Sequence, residues 1–183
     1  MKLARCEHKG KIYHGIVKGE AIYTIDRSPY DDYEETGAQF DLAKVRLLPP
    51  TVPTKFVCVG QNYIEHIKEI GATPPEKPLW FLKPPSALIG PGDRIIFPRM
   101  ADRVDYEGEL AIVIKTRMKN VNRNDALKYV LGYSCFNDVT ERKLAAAKRP
   151  KPELRIDCAV THAFSPRRGR LLHPFYKSVV RIW

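Results

Sequence analysis

Asp105, Glu107 and Glu109 alternate through RVDYEGELAIVI, residues 103 to 114, and run straight into the apolar stretch Leu110 to Ile114. On an extended strand residues i and i+2 share a face, so these carboxylates are expected to project one way. Acids held that close repel one another unless a cation lies between them. Mg2+ and Mn2+ accept oxygen ligands and keep positions open for water or substrate. Asp138, in SCFNDVTER, follows the apolar, strand-like YVLGYSCF and completes a three-carboxylate set if the two strands are neighbours. The alternative is a set of ordinary solvated acids at an exposed strand end.

A second group lies in NYIEHIKEIG, which reads as a short helix stopped at Gly71. His66 and Glu69 are three residues apart and therefore neighbours on one helical surface. A carboxylate beside an imidazole orients it and raises its basicity, which suits proton abstraction from water. The bland reading is a surface histidine among Glu65, Lys68 and Glu69. Lys83, in WFLKPP, ends an apolar strand; its ammonium is placed either to meet a substrate carboxylate or enolate, or to snorkel into water.

The elements that must position these groups are short and mostly extended. ARCEH, KIYHGIVKG and EAIYTID, separated by Lys-Gly and Gly-Glu turns, read as strands of a small β-rich unit over residues 1 to 48. LLPPTVPTK, residues 47 to 55, supplies a proline-stiffened linker over residues 49 to 55. FVCVG and WFLK are expected strands, and PGDRIIFP a turn entering another. NRNDALKYVLGYSCFND reads as a capped helix carrying Ala126, Leu127, Val130 and Leu131 and left at Gly132. The four cysteines are scattered without zinc-ligand spacing and read as reduced, mostly buried thiols.

The formal charge of +10 would suit an acidic partner, but its distribution argues against nucleic acid. Nine Lys and Arg against two Asp and Glu fall in residues 144 to 183, leaving the rest of the chain almost balanced. Residues 145 to 183 therefore read as a basic, poorly ordered tail. No run of residues reaches membrane-spanning length and the N-terminus lacks a secretory signal, so a cytoplasmic protein without a membrane partner is expected.

In order and spacing, CVGQNYIEHIKEIG, PLWFLKPPSALIGPGDRIIFP, RVDYEGELAIVI and YVLGYSCFNDVTER resemble the fumarylacetoacetate hydrolase family over roughly residues 56 to 144. The preceding segment resembles the small N-terminal domain of its bacterial isomerase and acylpyruvate hydrolase members. The resemblance implies a β-rich α+β fold, part of a mixed β-sandwich roll. It implies Mg2+ or Mn2+, with Ca2+ a further candidate, held by Glu107, Glu109 and Asp138. His66 and Glu69 would then be catalytic, with Lys83 and Arg142 meeting the substrate. It implies a homodimer that hydrolyses, tautomerises or decarboxylates a small 2-oxo or β-diketo acid through a metal-stabilised enolate. Where family members continue DVTARDLQ, this chain has DVTERKLA, placing Lys143 and Ala145 at the divergent positions. Beyond Arg142 the resemblance fades, so about half the catalytic domain is expected to be missing, by truncation or a frame change near residue 144. A non-catalytic remnant, at most a metal-binding or interaction module, is the competing reading.

Overall fold

In the strand Lys2–His8 (β1), Ala4 and Cys6 face one side and Leu3 the other, and all three are buried. The computed structural model describes residues 1–145, Cys158–Ala159 and Ser165–Pro166. A strand covered on both faces belongs inside a sheet rather than at its margin. β1 pairs antiparallel with Lys11–Lys18 (β2), reached through a tight turn in which Lys9 and Gly10 both have positive φ, the geometry that suits a two-residue hairpin. Ala21–Ile25 (β3) and Glu35–Asp41 (β4) extend the sheet beyond β2, and Arg46–Leu48 (β5) pairs with the other edge of β1. Ala4, Cys6 and Ile22 centre one core, packed by Tyr13, Val17, Phe40, Leu42, Val45 and Leu47. Gly15 makes that packing feasible: a Cβ there would stand 2.5 Å from both Ile22 Cγ2 and the Tyr23 carbonyl oxygen.

Phe56–Gly60 (β6), the short helix Ile64–Glu69 (α1) and Leu79–Lys83 (β7) follow, as the sequence leads one to expect. β6 and β7 form a two-stranded antiparallel sheet with Val57 opposite Leu82 and Val59 opposite Trp80. α1 buries Ile67, and the chain leaves it through Gly71 at φ 64°.

After Leu88–Ile89 (β8), the expected strand in PGDRIIFP is not formed. Residues 93–98 join no ladder among the described residues, and Ile95, Ile96 and Phe97 are exposed. Nor is RVDYEGELAIVI one strand: Val104–Asp105 (β9) is separated from Gly108–Ile114 (β10), which breaks the shared face expected of Asp105, Glu107 and Glu109. The expected helix after Asn124 is also revised. Only Ala126–Tyr129 forms a 3-10 turn, and Val130–Asn137 (β11) is a strand whose residues alternate between buried and half-buried along its full length. One or two turns of isolated helix are marginal in water, whereas the ladder with β10 satisfies the backbone throughout this stretch. Thr140–Glu141 (β12) returns to pair with β9 and leads into Arg142–Ala145 (α2). Cys158–Ala159 (β13) pairs with β11 and β8, and Ser165–Pro166 (β14) with β11. The rest of the expected basic tail lies outside the described residues.

Leu3 and Ile25 form a second core packed by Ile16 and Tyr33 and also by Val113 of β10 and Leu131 of β11. The N-terminal sheet thus shares its interior with the later strands. Met1–Thr51 and the described residues from Ala87 onward form one compact unit, and Val52–Ser86 belongs to a second. Among the free cysteines Cys6 is fully buried, which pushes its thiol pKa up, while Cys58 and Cys135 are half-buried. No helix among the described residues is long and apolar enough to cross a membrane.

Candidate metal centre

Where the chain leaves β9 at Tyr106 and Glu107, bonds from outside the ladder hold it against the end of β11. The Glu107 amide donates to Asn137 Oδ1 at 3.0 Å, and the Asp138 amide donates to the Glu107 carbonyl at 2.8 Å. Gly108 stands opposite Asn137 and Glu109 opposite Phe136. Glu107, Glu109 and Asp138 are therefore gathered at one end of the β10–β11 pair. Asp138 is buried and the two glutamates are half-buried.

A cation already sits there. Arg142 Nη1 lies 2.6 Å from Glu107 Oε1, and its Nε donates to Asp105 Oδ2 at 2.8 Å. Asp105 takes a second guanidinium, Arg103, whose Nε donates to Oδ1 at 3.0 Å and whose Nη2 lies 3.0 Å from Oδ2. These bonds, Arg103 first and Arg142 second, hold the Asp105 carboxyl below its ordinary pKa, and Asp105 in turn raises that of Arg103. Asp105 is thus committed to arginines, and the alternation that drew attention to it does not make it a partner of the glutamates.

Arg142 is placed by the segment around it. Glu141, a buried carboxylate, accepts from the Asp102 and Arg103 amides at 3.1 Å each, and the Arg142 amide donates to the Arg103 carbonyl at 2.9 Å. Lys143 Nζ donates to Asp102 Oδ2 at 2.8 Å, which raises the lysine's pKa. The divergent Lys143 therefore has a structural partner. Glu141, Asn137 and Arg103 escaped the sequence reading because a side chain that serves backbone amides or a neighbouring acid has no spacing signature.

Among the described residues, no three His, Cys, Asp or Glu side chains are grouped tightly enough to hold a metal ion. The donor chemistry nonetheless suits a hard divalent cation. All three candidates are carboxylates, and the guanidinium on Glu107 stands where positive charge is favoured. In the second unit, His66 Nδ1 is 3.5 Å from Glu69 Oε2 on α1; the side chains are 44% and 75% exposed. Lys83 ends β7 opposite Phe56 and is half-buried.

Residues 55–166, more than half the chain, match the family model described as fumarylacetoacetate (FAA) hydrolase C-terminal. The chain belongs to the fumarylacetoacetate hydrolase family. Residues 1–50 match a second model, Rv2993c-like, N-terminal. The first match runs past Arg142, where the legible motifs stop, to residue 166. An uncharacterized protein of Archaeoglobus fulgidus is 45% identical over 146 residues, which is 79% of this chain and 54% of the relative. The Xenopus laevis protein named oxaloacetate tautomerase fahd2, mitochondrial, is 39% identical over 133 residues, 73% of this chain and 41% of that one. Among solved structures, the 2-hydroxyhepta-2,4-diene-1,7-dioate isomerase of Mycobacterium marinum superposes with a TM-score of 0.80 at 31% identity, covering 92% of this chain and 67% of that one. The maleylpyruvate hydrolase of Sphingobium sp. SYK-6, solved with manganese(II) and pyruvate, gives 0.66 at 25% identity, covering 91% and 67%. Fumarylacetoacetate hydrolase relatives thus include both hydrolases and isomerases. The chain spans about half the length of the curated relatives it matches.

Proposed function

We propose that the chain carries the metal-binding part of a divalent-metal-dependent hydrolase or isomerase of small 2-oxo and β-diketo acids. The observation that supports this reading is that the backbone of Glu107, Glu109 and Asp138 lies together at one end of β10–β11, with the Arg142 guanidinium on Glu107. The names of the similar isomerase, tautomerase and manganese-bound hydrolase support it. Glu107, Glu109 and Asp138 would hold Mg2+ or Mn2+, with Ca2+ as a further candidate. When bound, the ion supplies Lewis acidity that favours the enolate form of a 2-oxo acid.

The remaining work falls to the chain's own side chains. Arg142 presents a planar fork of donors to a substrate carboxylate, and Lys83 offers a point charge to the same class of group. Glu69 Oε2, 3.5 Å from His66 Nδ1, would orient the ring so that Nε2 takes a proton from water in hydrolysis or from carbon in isomerisation. The reading includes a homodimer acting in the cytoplasm on a small oxo acid, without a nucleic-acid partner. The competing reading, a metal-binding module without turnover, draws on Arg142 already neutralising Glu107.

Titration calorimetry with Mg2+ and Mn2+, paired with an ultraviolet assay of oxaloacetate keto–enol exchange, tests the proposal. Binding should be lost in both Glu109→Gln and Asp138→Asn chains that remain folded. Unchanged affinity in either variant overturns the ligand assignment, and binding without metal-dependent turnover selects the module.

A further inference from the structure

Glu107 is fixed by its backbone and claimed through its side chain. Its amide donates to Asn137 Oδ1 and its carbonyl accepts from the Asp138 amide, so the main chain cannot carry the carboxylate away from the end of β11. The side chain is turned to Arg142, whose Nη1 stands 2.6 Å from Oε1. Arg142 is 33% and Glu107 26% exposed, so water screens this pair less than an ordinary surface ion pair. Arg142 has other anchors as well: its Nε donates to Asp105 Oδ2, and its amide donates to the Arg103 carbonyl. The guanidinium can therefore release Glu107 without leaving the site.

The backbone brings three carboxylate residues to this end of β10–β11, yet no three acidic side chains among the described residues are grouped tightly enough to hold a metal ion. For Glu107 the Arg142 contact supplies the reason. A divalent cation binds carboxylate oxygen at about 2.0–2.6 Å, and on Glu107 it would share a half-buried site with a guanidinium that repels it. One carboxylate cannot serve both cations at full strength. With Glu107, Glu109 and Asp138 as the proposed ligands, on which this rests, we propose that Arg142 is a built-in competitor of the metal. It holds Glu107 in the arrangement seen here, and metal binding moves Nη1 off Glu107 while Nε stays on Asp105. The freed donors then face an anion. Metal and a carboxylate ligand are thereby coupled, each strengthening the binding of the other through the same guanidinium.

Mn2+ binding read by electron paramagnetic resonance tests this without any turnover. Arg142→Gln should bind Mn2+ at least about tenfold more tightly than the unaltered chain, the scale of one charged hydrogen bond that no longer has to be broken. Arg103→Gln removes the same charge from Asp105, where Arg103 is paired, and should change the affinity far less. In an Arg142→Ala chain, added guanidinium ion should weaken Mn2+ binding again, and sodium at equal concentration should not. Circular dichroism checks that the variants fold. In the unaltered chain, nitrogen NMR should show the Arg142 Nη signals shifting on Mg2+ addition while Nε, held by Asp105, shifts little. Equal or weaker binding by Arg142→Gln, an equally large gain in Arg103→Gln, no effect of guanidinium, or unmoved Nη signals overturns the competition. If the unaltered chain binds Mn2+ and Glu109→Gln does not, the ligand assignment survives each of those failures. If neither the unaltered chain nor Arg142→Gln binds Mn2+, the ligand assignment and the competition fall together.

Discussion

Leu3→Ala tests whether the N-terminal sheet and the strands of the candidate metal centre form one cooperative body. Leu3 is 4% exposed and packs with Ile25 against Ile16, Tyr33, Val113 and Leu131. Truncating a buried leucine costs about 2–5 kcal/mol, the spread reflecting how far the site can collapse. Those last four neighbours are only partly buried and can close in, which places Leu3 in the lower half, about 2–3 kcal/mol. For a chain of this size each kcal/mol lowers Tm by about 2–4 °C, so the drop should be roughly 5–10 °C. Because Val113 and Leu131 lie on β10 and β11, the loss should also appear there: amide exchange of residues 108–114 and 130–137 should quicken by the factor the stability change dictates. Calorimetry and hydrogen exchange by mass spectrometry read both quantities. A Tm change with unaltered exchange in β10 and β11, or two separate melting transitions, would refute the shared core and restore an independent N-terminal domain.

Gly15→Ala should destabilise by about 1–3 kcal/mol, since its Cβ would sit 2.5 Å from a backbone oxygen that the β2–β3 ladder holds in place; a neutral result in denaturant titration contradicts that close approach. His66→Ala should lower metal-dependent turnover by about two to four orders of magnitude while leaving cation affinity unchanged; equal losses in both would make His66 structural or a ligand. Burial first, and Arg5 second, hold the His14 imidazole below its ordinary pKa, and Nδ1 has no hydrogen-bond partner among the described residues. The unfolded chain then binds the extra proton, so stability should fall as pH drops through about 6.5 and go on falling until the folded-state pKa is reached. His14→Gln should flatten the dependence of Tm on pH between about 7 and 5, and an unaltered slope would exclude His14 as its source.

The strands β1, β2, β3, β6 and β7 were legible because each is a short apolar-rich run bounded by Gly or Pro turn signals. The four ordered motifs were likewise enough to indicate the family. Val130 and Leu131 misled because helical and extended spacing coincide over so few residues, and the ladder to β10 decides between them. Ile95 to Phe97 have the composition of a strand yet no partner in any ladder of the described residues, a fact no local pattern contains.

By itself the sequence determined which residues can alternate faces, where the chain must turn, and which side chains bring carboxylate, imidazole and cationic chemistry. Only the tertiary structure decided their partners. Arg142 reaches Glu107 across 35 positions, Asn137 takes the Glu107 amide across 30, and Leu131 packs on the core that Leu3 and Ile25 form near the start of the chain. Periodicity records how a segment divides its own surface between water and interior. It holds no information about which distant segment supplies that interior, because this is settled by the joint packing and hydrogen-bond demands of all the strands at once.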